Sequence, residues 1–163
     1  MKSLLVVYHS LTGGTRQMVD ALATGAADSG EAAVRVLHAS DAGPDDLLAG
    51  DAYVFATPEN LAAISGLMKD FFDRCYYPAL GRIEGRPYAA MICAGSDGSN
   101  ALRQIERIAT GWRLRVVANP IIVCTQAQTP EEILAAKSIE SADIERCRQL
   151  GASLAAGLAL GIF

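Results

Sequence analysis

The chain has 163 residues, 51% of them apolar and 20% charged, with a net charge of −4 and a sequence pI of about 5.1. That size and apolar content suit one domain, residues 1–163, with a substantial core, and they exclude a disordered chain. The acidic balance excludes the electrostatic footprint of a nucleic-acid or anionic-membrane binder, and no apolar run is long enough for a membrane span, so a soluble protein is expected.

Ser3 to Tyr8 is a continuous apolar run, the pattern of a strand buried on both faces. Ser10-Leu11-Thr12-Gly13-Gly14-Thr15 follows, a hydroxyl and glycine loop suited to cradling a dianionic phosphate. Ser10 and Thr12 bring hydroxyl donors, while Gly13 and Gly14 allow close approach of backbone N–H groups. Thr15 is placed to cap the next helix, whose unpaired first-turn amides and positive dipole end would face the anion, and Arg16 is placed to add a charge. The loop is neither G-x-G-x-x-G nor G-x-x-x-x-G-K-[ST]. That helix runs from Thr15 to Ser29 with Met18, Val19, Leu22 and Ala26 on one face, and Gly30 stands at its stop.

Ala33 to Leu37 reads as a second strand, Pro44 to Leu48 as a short helix, and Ala52 to Thr57 as a third buried strand. A loop, Pro58 to Ile64, leads to a helix from about Ser65 to Tyr77, expected to halt at Pro78. Its stripe of Leu67, Met68, Phe71, Phe72, Cys75 and Tyr76 reads as core. Tyr88 to Ala94 is the fourth strand, followed by Gly95-Ser96-Asp97-Gly98-Ser99 and a helix capped by Ser99 or Asn100 that ends at Gly111. Val116 to Ala118 and Ile121 to Thr125 form a fifth strand region broken by Pro120. Thr129-Pro130-Glu131-Glu132 has the form of a capping box, and a last helix covers Ser141 to Leu158.

Strands alternating with helices predict a doubly wound parallel sheet, an α/β three-layer sandwich with five strands in the order 2-1-3-4-5. In that order the loops after strands one, three and four converge beyond the carboxyl ends of the strands, where such folds bind ligands. Four dispersed cysteines, Cys75, Cys93, Cys124 and Cys147, have no zinc-type spacing and read as buried free thiols of a cytoplasmic protein. His9 reads as a turn residue bonding backbone, and Trp112 as a packing or surface residue.

The phosphate loop resembles the S-x-T-G-x-T loop of flavodoxin-like proteins, which holds the phosphate of FMN. The stretch Ala56-Thr57-Pro58-Glu59-Asn60-Leu61 through Ser65-Gly66-Leu67 to Asp73 resembles the segment after the third strand in flavodoxin-fold NAD(P)H:quinone and flavin reductases, including the WrbA type. Gly95-Ser96-Asp97-Gly98 is similar to their third flavin loop. The resemblance implies a flavodoxin-like fold that binds FMN through Ser10, Thr12, Gly13, Gly14 and Thr15, through Thr57, Pro58, Glu59, Asn60 and Leu61, and through Gly95, Ser96, Asp97 and Gly98, with no side-chain acid or base and no metal.

Flavodoxins that only carry electrons commonly sandwich the ring between aromatic side chains, whereas residues 58–64 and 94–100 contain none. The resemblance therefore implies an FMN-dependent oxidoreductase taking a hydride from NADH or NADPH and passing electrons to a quinone-like acceptor, the alternative being a flavodoxin-like electron carrier. A second subunit in a homodimer would supply further walls, although the insertion that helps WrbA-type proteins form tetramers is not evident.

Overall fold

The computed structural model describes residues 1–163. Its sheet is built on β1 (Ser3–Tyr8), β2 (Ala33–His38), β3 (Ala52–Asn60) and β5 (Pro87–Ala94), all parallel, in the order β2-β1-β3-β5. β6 (Arg115–Val116) and β7 (Ile121–Cys124) both pair in parallel with β5, against Pro87–Tyr88 and Met91–Ala94 respectively. The fifth position is thus occupied by two short pieces, and Pro120 lies in the break. Counted by position the order is the expected 2-1-3-4-5.

Side chains alternate across the sheet, and the two faces differ in kind. Leu4 and Val6 of β1, Ala52, Val54 and Ala56 of β3, and Ala89 and Met91 of β5 meet α1 (Gly14–Ser29) and α6 (Ser141–Ala159). Those small β3 and β5 residues leave room for two helices that approach each other closely. The opposite face carries Tyr53, Phe55 and Tyr88 against α2 (Pro44–Ala49), α3 (Gly66–Ala79) and α4 (Ser99–Gly111). Phe55 is the hub there, 5.2 Å from Phe72, 6.2 Å from Trp112 and 5.9 Å from Tyr53 between ring centroids. Trp112 is a fully buried core residue, and its Nε1 donates to the Tyr76 carbonyl. A residue just after a helix reaches the core here because the chain turns back toward β6.

Several boundaries move for local reasons. α3 continues through Pro78 to Ala79, because a proline in the last turn removes only one helical bond. α1 begins at Gly14, with Gly13 rather than Thr15 as its N-cap. Gly98 rather than Ser99 or Asn100 caps α4. The expected capping box at Thr129 is present and opens α5 (Pro130–Leu134), and Gly30 ends α1 at φ 65°. The largest difference is at residues 58–64: β3 runs on to Asn60 and pairs antiparallel with β4 (Ala63–Ile64), so the expected loop is a tight hairpin. Its two turn residues, Leu61 and Ala62, sit at φ 50° and 60°, the left-handed geometry of hairpin turns that is rare for such side chains.

Candidate functional site

Beyond the carboxyl ends of β1, β3 and β5 lies a cavity of about 550 Å³, within the range of small-molecule sites. Two other recesses, of about 360 and 540 Å³, lie at the opposite end of the sheet around Lys2 and Asp51.

The first wall is the turn from β1 into α1. Ser10 accepts through Oγ from the amides of Gly13 and Arg16, both at 3.2 Å, so its hydroxyl shapes the loop from within. Gly13, at φ 90°, lets the chain reverse into the helix. The amides of Gly14 and Thr15, in the first helical turn, have no intrahelical partner. Thr15 is 1% exposed and its Oγ1 has no hydrogen-bond partner, although Thr15 lines the cavity. A buried, unpartnered hydroxyl beside free helix amides fits a phosphate that completes both. Arg16 does not contribute: its guanidinium is held by Asp20 at 2.8 Å and by the Tyr8 hydroxyl. His9 stands beside this loop with an unpartnered Nδ1, and burial, then the neighbouring His38, push its pKa below the usual value.

The second wall is the β3–β4 hairpin, with Pro58, Glu59, Asn60 and Leu61 on the cavity. Leu61 is fully exposed at the tip. Glu59 has a structural duty, because its carboxylate accepts from the amides of Gly98 at 2.9 Å and Ala101 at 3.0 Å and so caps α4. Thr57 is placed elsewhere. It is fully buried, bonded to Ser65 Oγ at 3.1 Å and to the Pro58 carbonyl, and lies off the cavity as the anchor of α3. The hydroxyl turned inward because Ser65, the cap of α3, offered a buried partner.

The third wall brings Gly95 and Ser96 to the cavity but not Asp97 or Gly98. Asp97 bonds Ser99, and the Gly98 amide is already committed to Glu59. Gly13 also lies outside the lining. Of the fourteen residues named from the sequence, ten therefore line the cavity: Ser10, Thr12, Gly14, Thr15, Pro58, Glu59, Asn60, Leu61, Gly95 and Ser96.

Sequence reasoning missed a fourth wall, made by Thr125 and by residues of the strap that follows it, Gln126 to Ile139. α5 within it buries no residue, and its Ile133 and Leu134 are 49% and 70% exposed while lining the cavity. An apolar pair on a five-residue helix with no core to face was the available signal. Lys137 is the cation of the cavity lining, and its ammonium is taken by the carbonyls of Glu132, Ile133 and Ala135 at 2.7–2.8 Å. No lining residue is aromatic.

Cys93 forms part of the floor, and a Cβ on Gly14 would come within 2.6 Å of its Sγ. Burial pushes the thiols of Cys75, Cys93 and Cys147 up to about 11 each, whereas Cys124 is half-buried. Alkylation of the native protein is therefore expected at Cys124 first, with the other three reacting only on unfolding, as peptide mapping would read. Because each folded thiol stays neutral above the pH at which the unfolded one ionises, stability is expected to fall as pH rises from about 9 to 11, by on the order of 1–3 kcal/mol per thiol. A denaturation midpoint constant over that range would contradict these burials.

Residues 45–129, just over half of the chain, match the family described as NADPH-dependent FMN reductase. Among curated proteins, a flavodoxin of Aquifex aeolicus (strain VF5) is 33% identical over 98 residues, 60% of this chain and 53% of that one. An NAD(P)H dehydrogenase (quinone) of Acidithiobacillus ferrooxidans is 34% identical over 94 residues, 45% of this chain and 47% of that one. The chain spans about half the length of these curated relatives. A solved structure described as a flavodoxin, WrbA-like protein from Agrobacterium tumefaciens superposes with a TM-score of 0.68 at 24% identity, covering 99% of both chains, which shows the shared flavodoxin-like fold. No helix is long and apolar enough to cross a membrane.

Proposed function

The chain belongs to the NADPH-dependent FMN reductase family, and on that premise we propose that residues 1–163 act as one FMN-binding domain that takes a hydride from NAD(P)H and passes electrons to a quinone-like acceptor. The observation that carries this reading is a cavity with an unpartnered anion cradle at one end and no aromatic side chain around the rest.

The residues divide the work by chemistry. Thr12, the Thr15 hydroxyl and the amides of Gly14 and Thr15 hold the phosphate, the dipole of α1 adding to them. Backbone groups of Asn60, Gly95 and Ser96 present donors and acceptors to the polar edge of the ring. Bound FMN supplies the hydride-accepting chemistry, as cofactors do in such enzymes. Leu61, Ile133 and Leu134 bound the ring region with aliphatic surface, which keeps water away yet leaves a face on which a flat nicotinamide or quinone could stack. The quinone-like acceptor agrees with the name of the Acidithiobacillus relative. Nothing in the lining is required as an acid or base.

Thr12→Val keeps the shape of the side chain and removes a donor to a charged phosphate. It is expected to weaken FMN binding by about 1.5–3 kcal/mol while leaving riboflavin, which has no phosphate, nearly unaffected. Equal loss for both flavins would place the phosphate elsewhere. The function itself is tested by adding NADPH, then NADH, anaerobically to the FMN-loaded protein and following visible absorbance. Bleaching faster than for free FMN is the expected result. An oxidised spectrum that persists with both nucleotides but responds to a chemical one-electron donor would instead support a carrier, as the Aquifex relative's name suggests.

A further inference from the structure

The strap from Gln126 to Ile139 touches the rest of the site at two seams. At one end the Gln126 amide donates to the Gly95 carbonyl at 2.7 Å. Gly95 is the only kind of residue that fits there, since a Cβ would stand 2.9 Å from the Ala127 carbonyl oxygen. At the other end the Lys137 amide donates to the Thr12 carbonyl at 2.9 Å, inside the phosphate loop.

That second seam is closed by one side chain. Gln17 donates through Nε2 to the Gly13 carbonyl at 2.9 Å and to the Lys137 carbonyl at 2.7 Å, and its Oε1 accepts from the Ile139 amide at 3.1 Å. A carboxamide is the side chain that suits three such partners, two acceptors and one donor. Gly13 would keep its helical bond from the Gln17 backbone amide without the side chain. Residues 137 to 139 would lose two of the three bonds that join them to the phosphate loop and α1, keeping Lys137 N–H to Thr12. The strap, not the loop, depends on Gln17.

We propose that Gln17 is a positioning residue for the flavin: its carboxamide seats the 126–139 strap on the phosphate loop, and the seated strap holds Ile133 and Leu134 as the aliphatic wall over the ring. This rests on the flavin reading above. The wall has no buried side chain of its own, because α5 buries no residue, so its place depends on the two seams and on Ile139 at the edge of the core. Lys137 rigidifies the same strap from within, its ammonium closing the last turn of α5 through three carbonyls rather than contacting an anion directly.

The test compares wild type, Gln17→Met and Thr12→Val for FMN and riboflavin affinity, and for amide hydrogen exchange in the flavin-free protein. In Gln17→Met the amides of Lys137 and Ile139 are expected to exchange faster. Both flavins should weaken by a similar factor, on the order of tenfold, the scale of one or two net hydrogen bonds. A strap as protected as in wild type, or a loosened strap with unchanged affinity for both flavins, would overturn the proposal. Thr12→Val separates the two layers of argument: if it spares FMN while Gln17→Met weakens both flavins, the phosphate assignment fails and the strap assignment stands. Should Gln17→Met fold poorly, Gln17→Glu keeps an acceptor for the Ile139 amide and loses the donor to the Gly13 and Lys137 carbonyls, and the same pair of measurements decides.

Discussion

Gly13→Val is expected to purify without flavin, with an FMN dissociation constant raised at least about a hundredfold, a loss of roughly 3 kcal/mol. Gly13 sits at φ 90° and ψ −7°, and a left-handed backbone costs an ordinary residue about 1–2 kcal/mol, more when the side chain branches at Cβ. The chain can avoid that cost only by rotating the Gly13 peptide, which is the cap of α1. The Gly13 amide now donates to Ser10 Oγ, and the Gly13 carbonyl anchors both the backbone and the side chain of Gln17. Rotation therefore re-aims the amides of Gly14 and Thr15, each of which, in the proposed site, would contribute a charge-assisted bond to a phosphate. The expected signature is selective: FMN affinity collapses, riboflavin affinity falls less, and thermal stability drops only modestly because the site is at the rim. Equilibrium titration of both flavins, with a melting curve for each protein, reads all three. Stoichiometric flavin in the purified variant would mean that this loop is not the phosphate cradle.

The same loop shows how far sequence reasoning reaches. Its hydroxyl and glycine composition suits an anion cradle but equally an ordinary turn, and it is the convergence of three such loops beyond the strand ends that favours the cradle. Alternation of strands and helices implies the parallel sheet, since parallel neighbours need crossovers, and five strands with a ligand loop after the first select the order. What escaped depends on contacts between distant segments. Thr57 and Glu59 lie two residues apart in one strand. One turned inward because Ser65 waited there, and the other turned to α4 because two helix amides were unpaired. Neither partner is visible from local pattern. The strap was missed because it is seated through one carbonyl and one amide read by Gln17, some 120 residues earlier. The hairpin at Leu61 and Ala62 defeats turn rules outright, since neither residue favours positive φ. It is held from outside by Asn100 on the Ala62 carbonyl and Gln104 on the Ile64 amide.

Gly151→Ala is expected to cost about 3 kcal/mol of stability, at the upper end of what overpacking usually does, and to lower the melting temperature by roughly 6–12 °C in a chain of this size. α1 and α6 cross where Gly25 and Gly151 face each other's backbone. A Cβ on Gly151 would overlap the Leu22 carbonyl and stand 3.0 Å from the Ala26 amide nitrogen, while one on Gly25 would overlap the Arg148 carbonyl. The obstacle in each case is main chain, which cannot swing aside as a long side chain can. The helices must separate, and the layer of Met18, Leu22, Cys147, Leu150 and Leu154 behind them loses its packing. Gly66→Ala is the control: it is also helical, at the first position of α3, has nothing within 4 Å of a new Cβ, and should be neutral or slightly stabilising. Coupling gives the sharper test. Once Gly151→Ala has parted the helices, Gly25→Ala has less to displace, so the double variant should be destabilised by less than the sum of the singles. Strict additivity would mean that the two glycines do not share one contact. The crossing also matters to the site, because α1 carries the proposed phosphate cradle at its N-terminus and Gln17 one turn in. A shift of α1 away from α6 moves both together, so FMN affinity in Gly151→Ala should fall in step with stability.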